Sequence, residues 1–397
     1  MVAFFQSLRE KPAMRKSVLT IAVSSAFAVP ILANAQTAPA APAAPTFDKV
    51  LEASGISLSG YVDTAYSHAD RDVEGGFSPR VFDSQNNSFV LHQVGLQVAK
   101  QPKEGFGGLV NITAGRDAGI IRSSDSTDST FDVTQAYGQY ASGPFTIMAG
   151  KFTTLHGTEV IWSPSNANFS RSILFGSVPF THTGVRAVFA ANDYVSLTAG
   201  VNNGWDQLKD QNKGKTTELG ITVTPIKTVS IIGSYYGGQE TAGTSGTFGS
   251  TGITARRDSY NLVASWTIIE PLTISGEYLN VSQKDAVFDT STGGVKKGTY
   301  SGFAGYASYL FTPKFKGTLR LESFDDKDGF RFGFPVSTTS GSKLKEYTLT
   351  LAYMPADSYE LRAEIRQDRA NEQVFTADNG NFSKNLTTFA VQALYKF

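Results

Sequence analysis

The chain has 397 residues and no cysteine, so neither a disulfide framework nor a lipid-modified cysteine can form. It has no charge excess either, with 35 Lys and Arg against 35 Asp and Glu, and a balanced chain does not favour nucleic acid. Beyond residue 35 no stretch approaches the roughly 18 uncharged apolar residues of a membrane helix. If the chain crosses a membrane, it does so as strands. Neither G-x-S-x-G nor H-E-x-x-H is present, and no glycine-rich phosphate cradle. Four histidines (His68, His92, His156, His182) are few for catalysis. Ser163, Ser165, Ser170 and Ser172 lie near two of them, but serine and histidine are ordinary company in a polar loop, so no enzyme, metal or cofactor is expected. Asp325, Asp326 and Asp328 lack the ligand spacing of an EF-hand loop and read as solvated loop acids.

What is present begins with an export signal. From Met14, a plausible true start, the chain reads MRKSVLTIAVSSAFAVPILANAQ: Arg15 and Lys16, an apolar run from Val18 to Leu32, then Ala33-Asn34-Ala35. That order predicts a signal peptide over 1–35, cut after Ala35. The Ala/Pro tract that follows predicts a periplasmic linker over 36–55. Cleavage removes four bases and one acid, leaving 31 bases and 34 acids and a net charge of minus 3.

Residues 56–397 show no second linker and no repeated motif, only repeated hairpin punctuation. Short turns fall near Pro102-Lys103-Glu104, Ser142-Gly143-Pro144, Asn192-Asp193, Pro225-Ile226-Lys227, Glu270-Pro271, Pro313-Lys314 and Pro355-Ala356-Asp357. Their spacing of about 33 to 49 residues holds two strands of roughly 9 to 11 residues, as a bilayer requires, plus one longer loop. Flanking residues alternate. Tyr347, Leu349, Leu351 and Tyr353 are answered by Tyr359, Leu361, Ala363 and Ile365, while Glu346, Glu360, Arg362, Glu364 and Arg366 take the other face. Such charges are costly in a packed core and cheap in a watery lumen.

Seven turns join fourteen strands, and strands near 56–66 and at the C-terminus make sixteen. The expected fold is an all-β, transmembrane, antiparallel up-and-down barrel of about 16 strands, with short periplasmic turns and long extracellular loops. Sixteen strands leave an aqueous interior. Strands near 131–141, 145–153 and 300–311 have no readable inward face. Tyr353, Tyr359, Phe311, Phe315, Tyr395 and Phe397 flank the short turns, where an interfacial girdle belongs. By alternation the wall should present Asp63, Arg186, Glu218, Glu277, Arg320, Glu322, Glu346, Glu360, Arg362, Glu364, Arg366 and Lys396 to water. Acids and bases are mixed there, so the count sets no charge selectivity.

Most inferred loops are rich in Gly, Ser, Thr, Asp and Asn, as is 240–258. The third, about 154–183, carries Ile161, Trp162, Phe169, Ile173, Leu174, Phe175 and Phe180, and so much apolar surface has to pack against something. Here GTEVI, NANFSRSILF and PFTHTGVR, with GYVDTAYSHA, RVFDSQNNSFVLHQVGL and GVNNGWD elsewhere, resemble the outer-membrane β-barrel porins of the OmpL-like kind, from about Gly60 to Phe397. The resemblance implies a Gram-negative outer-membrane barrel that makes a water-filled channel for passive diffusion of small hydrophilic solutes and ions. It also implies a closing aromatic, Tyr395 with Phe397, read by the barrel assembly machinery, and contact with outer-membrane lipid and lipopolysaccharide. Homo-oligomers fit the same picture. By similarity to general porins the third loop is a candidate pore constriction, with Glu159, Arg171, His156 and His182 facing solute; a loop capping the barrel from outside stays open. So does the alternative of a plugged or loop-gated barrel acting as a surface receptor or adhesin.

Overall fold

The computed structural model describes residues 46–71, 73, 77, 79–243, 251–289, 291–333, 341–377 and 381–397. The expected signal peptide and most of the Ala/Pro tract lie outside those residues, as does 244–250 of the polar loop. No helix among them is long and apolar enough to cross a membrane; the crossing elements are strands. These are β1 (Ser57–Ala69), β2 (Ser88–Lys100), β3 (Gly105–Ala114), β4 (Phe131–Ser142), β5 (Phe145–Thr153), β6 (Thr181–Ala190), β7 (Val195–Asn202) and β8 (Thr216–Ile226). After them come β9 (Val229–Thr241), β10 (Thr254–Ile269), β11 (Leu272–Asp289), β12 (Gly294–Thr312), β13 (Phe315–Asp326), β14 (Ser342–Ala356) and β15 (Tyr359–Ala370). A two-residue pair, β16 (Phe375–Thr376) and β17 (Phe382–Ser383), sits in the last loop before β18 (Asn385–Lys396).

Every sequential barrel pair is antiparallel, and β18 closes on β1, giving sixteen strands in one closed barrel. The closure runs from Tyr61 opposite Lys396 to Ala69 opposite Thr388. Closure leaves no edge strand, which hydrocarbon requires because an unpaired backbone group finds no water there. The alternation decides the two faces. Along β14, Tyr347, Leu349 and Leu351 are 41%, 46% and 54% exposed, while Glu346, Thr348 and Thr350 between them are at most 1% exposed. At the short-turn end a girdle forms outside: Phe106 on Tyr140 at 4.8 Å, Phe145 on Phe189 at 4.7 Å, Phe315 on Tyr353 at 4.7 Å, and Tyr359 on Tyr395 at 5.0 Å.

The three strands without a readable face have local causes. In β4 the register slips where Asn111 pairs with Gln135 and Ile112 with Val133, so the inward set changes phase. In β5 Gly150 takes a φ of 137° and the next two residues, Lys151 and Phe152, are both buried. In β12 Gly302, Ala304, Gly305 and Ala307 blur the hydropathy signal. The last described residues before the barrel form a short helix, Phe47–Ser54, here α1, ended by Gly55 at φ 68°. The prolines stop at Pro45, so nothing in FDKVLEAS forces an extended chain.

Inside, the extracellular half is filled. Val73 and Phe77 from the β1–β2 loop, Ile173, Leu174 and Val178 from the β5–β6 loop, Trp205, Phe330, Phe332 and Phe375 join wall residues such as Leu279, Tyr300 and Phe324 in one apolar cluster. Asp326 belongs to this packing and is not a solvated acid: it is fully buried and accepts the backbone N–H groups of Arg331 (3.0 Å) and Phe332 (2.9 Å). Asp325 stays exposed beside Lys343.

Candidate functional site

The β5–β6 loop enters the lumen and crosses it. An irregular segment carries backbone N–H and C=O groups that neither helix nor sheet satisfies, so burying it requires partners one by one. The barrel wall supplies them. Leu155 N–H donates to Tyr236 Oη (2.8 Å), Gly157 N–H to Asn261 (3.1 Å) and Thr158 N–H to Glu277 (2.8 Å). On the far wall Trp162 packs on Tyr61 at 4.4 Å and Ser163 donates to Asp63. Glu364 accepts two successive amides, Phe169 (2.8 Å) and Ser170 (3.0 Å); Glu322 accepts the next pair, Ile173 (2.8 Å) and Leu174 (2.7 Å). Wall arginines take the carbonyls: Arg320 donates to Ser170 O (2.7 Å), Arg362 to Asn166 O (2.8 Å) and Arg366 to Arg171 O (2.6 Å). Wall acids accept the N–H groups of Thr158, Phe169, Ser170, Ile173 and Leu174 and wall bases donate to the loop's C=O groups as charge-assisted bonds, while Tyr236 and Asn261 hold Leu155 and Gly157 through neutral ones.

This placement corrects two expectations. Glu159, Arg171 and His156 do not face a passing solute. Glu159 binds Arg320 (2.7 Å) and Ser172 N–H (2.7 Å). Arg171, 1% exposed, donates to Phe169 O (2.8 Å) and lies over the rings of Phe82 (5.3 Å) and Phe175 (5.7 Å); burial lowers its pKa. His156 sits between Ser234 Oγ (2.7 Å) and Ser259 Oγ (2.8 Å), and burial, reinforced by His182, lowers its pKa well below the usual histidine value. A charged group brought into a dry loop has to be paired or neutralised, so the sequence's polar loop residues become internal ties. His182 does not face a solute either: it is fully buried, bonds Gly204 O through one ring nitrogen (3.0 Å), and has the Asn202 side chain beside it.

The second correction concerns the wall. All twelve residues expected on the inward face are on it, but most do not meet water. Asp63 binds Gln392 (2.8 Å), Arg186 pairs with Glu218, Glu277 binds Asn261 (2.9 Å), Arg320 pairs with Glu346 (3.0 Å), and Arg366 pairs with Asp368 (2.8 Å). Glu322 and Glu364 hold the loop. Only the group at the short-turn end is more open: Glu360, paired to Arg362 at 2.8 Å, has Lys396 at 3.6 Å and Lys316 at 3.8 Å, with those lysine side chains 32% and 25% exposed. Among the described residues no group of three or more histidine or carboxylate side chains could hold a metal ion.

A family model described as "Putative beta-barrel porin-2, OmpL-like" matches residues 55–397. The chain belongs to this family. No curated protein sequence matches it. Among solved structures, this OmpL-like barrel is similar to the outer-membrane channel DcaP of Acinetobacter baumannii, with TM-score 0.61 and 14% identity over 86% of this chain and 97% of that one. It is also similar to a loop-deletion form of OmpT of Vibrio cholerae, at 0.58 and 14% over 86% and 99%. OmpT in its trimer form gives the same figures. At such identities the likeness concerns the fold: an outer-membrane barrel of the porin kind.

The loop of the OmpL-like barrel leaves one side of the wall less occupied. A narrow cavity of about 30 Å³ remains between its first residues, Thr154 and Leu155, and strands β4 to β7, where Tyr137, Met148, Phe152, Arg186 and Thr198 face it. Arg186 lies over the Phe152 ring at 4.0 Å, with both carboxylate oxygens of Glu218 neutralising it. Counting charges missed Tyr137, Phe152 and Tyr236, although Tyr236 stands on the same strand face as Ser234 and alternation marks it as inward. Arg80 pairs with Asp83 (2.9 Å) inside the β1–β2 loop and ties that loop to Asp368; the second tie had no local signal, because Asp368 lies 288 residues away.

Proposed function

We propose that this protein is an outer-membrane porin that passes small hydrophilic solutes and ions by passive diffusion, with the β5–β6 loop as its constriction. The observation that carries the reading is a loop stitched across the lumen of a closed barrel, largely by charge-assisted bonds to wall residues. A hydrated lumen lowers the cost of carrying polar solutes through hydrocarbon, and a fixed loop sets the size limit. No chemical step is needed, and no catalytic role is proposed. Export through a cleaved signal peptide at 1–35, the short linker to 55 and the barrel from 56 fit this role. So do recognition of Tyr395 and Phe397 by the assembly machinery, contact with lipopolysaccharide, and homo-oligomerisation, as OmpT has a trimer form.

A second reading, a loop-gated barrel used as a receptor or adhesin, is favoured by the apolar packing of the extracellular half. Single-channel recording in a KCl gradient, on the wild type and on a deletion of 160–178, separates them. Steady ohmic steps in the wild type that grow in the deletion support the constricted porin. Silence in the wild type with large steps in the deletion supports the gated barrel, and silence in both, with folded protein, refutes a pore.

A further inference from the structure

On the outer face of the wall, three cations stand in a row across adjacent strands near their extracellular ends. Arg257 on β10 pairs with Gln283 on β11, and Gln283 with Gly298 on β12. One residue further toward the loops come Arg256, Lys284 and Lys297, all exposed. Arg257, Gln283 and Tyr300 are buried on the inside, so alternation turns these three side chains to the outside. Like charges opposite one another on strands about 4.8 Å apart repel, and hydrocarbon tails give them no counter-charge. Arg256 is answered in part, since it donates to Asp258 (2.9 Å) and to the Tyr235 hydroxyl (2.6 Å). Lys284 and Lys297 have no ion-pair partner within 4.0 Å among the described residues. Within two residues of the row the acids are Asp258 and Asp285, so three outward bases meet two acids and a positive charge is left over.

Below the row the outer wall carries a groove of about 640 Å³. Tyr235, Tyr260 and Tyr278 line its extracellular end, and Ala187, Ala199 and Gly233 are too small to fill its floor. Tyr235 joins the two features: it lines the groove, while its hydroxyl donates to Asp258 (2.7 Å) and accepts from Arg256. Cations above an apolar groove match a lipid with phosphate on its headgroup and acyl chains below, because phosphate takes charge-assisted bonds from Lys and Arg. A zwitterionic headgroup brings an ammonium that the row repels, and a second copy meeting this face about a two-fold axis would set cation against cation. We infer that Arg256, Lys284 and Lys297, with the groove beneath them, form a site for one molecule of phosphorylated lipid A, the membrane-anchored part of lipopolysaccharide. The inference deepens the lipopolysaccharide contact of the proposed function and rests on its outer-membrane placement.

Lipid-free barrel refolded in detergent is titrated with bis-phosphorylated lipid A, with the same lipid dephosphorylated and with phosphatidylethanolamine, and bound lipid is counted by native mass spectrometry. The proteins are the wild type, the pair Lys284→Gln with Lys297→Gln, the pair Lys284→Arg with Lys297→Arg, Ala199→Trp, and the pair Lys103→Gln with Lys314→Gln at the short-turn rim. Each is first shown to form a heat-modifiable barrel. The wild type should bind one lipid A at least tenfold more tightly than either other lipid. The Lys284 and Lys297 glutamine pair should lose at least tenfold in affinity, and the arginine pair should stay within threefold of the wild type. Ala199→Trp, which fills the groove and leaves the cations in place, should lose at least threefold. The rim pair, which removes the same charge elsewhere, should stay within twofold. Equal affinity for phosphorylated and dephosphorylated lipid A, unchanged binding in the glutamine pair at Lys284 and Lys297, or an equal loss in the rim pair would each overturn the inference. A wild type that fractionates with the inner membrane would instead overturn the outer-membrane placement beneath it.

Discussion

Glu364 offers the sharpest test of how the loop is held. Its carboxylate, 6% exposed, accepts the amides of Phe169 and Ser170 at 2.8 and 3.0 Å and the hydroxyl of Thr350 at 2.7 Å. Glu364→Ala removes the acceptor from two buried amides at once. Hydrogen bonds to a charged group are each worth about 1.5–3 kcal/mol, so the docked loop should lose about 3–6 kcal/mol locally. The barrel itself should keep its fold, because its ladder bonds run between backbones and do not involve this side chain. Hydrogen exchange at Phe169 and Ser170, read by mass spectrometry on the refolded protein, should then accelerate by about 100-fold or more, the factor that roughly 3 kcal/mol implies. Amides in the strand partners Leu349 and Ile365 should keep their protection. Glu364→Gln retains one acceptor oxygen and turns an N–H toward the other amide, so its acceleration should fall between the wild type and Glu364→Ala. Exchange at both loop amides within threefold of wild type in Glu364→Ala would refute the idea that wall carboxylates fix the loop.

Two further perturbations follow from the same contacts. Burial, with His182 beside it, keeps His156 neutral in the docked loop and lowers its pKa, whereas a released loop would titrate near the usual 6.5. Docking strength from this residue is therefore full above about pH 6.5 and falls by up to about 1.4 kcal/mol per pH unit below it, as the released form takes up a proton. Once the intrinsic pH dependence of amide exchange is divided out, the opening constant of the loop should rise between pH 6.5 and 5, with a flatter slope in His156→Gln; identical slopes would exclude His156 as the source. At the seam, the Phe397 N–H and C=O bond reciprocally with Gly60 at 2.9 Å each, and its ring stands 5.9 Å from Tyr395. Deleting Phe397 should reduce heat-modifiable barrel recovered from outer membranes several-fold while leaving refolding in detergent nearly intact. Equal yields from membranes would remove Phe397 from the assembly signal.

Several features of this protein were fixed by local pattern. A period of two writes the inside and outside of every clean strand into the chain, so Glu346, Thr348 and Thr350 opposite Tyr347, Leu349 and Leu351 needed no tertiary information. Turn punctuation gave the strand number, and an apolar third loop had to pack somewhere. Where a backbone bulge shifts the phase, as in β4 between Val133 and Gln135, the pattern fails because no side chain announces it. Tertiary structure alone decided what the charges do. Glu322, Glu364, Arg320 and Arg366 are inward by alternation, yet whether they meet water or a loop depends on chain segments 149 to 195 residues away. The same holds for Glu159, Arg171 and His156, whose polarity in sequence suggested solvent and whose fold supplied Arg320, aromatic faces and serine hydroxyls in its place. Pattern is a property of neighbours along the chain. Pairing is a property of neighbours in space, and in a barrel crossed by its own loop those neighbours come from opposite walls.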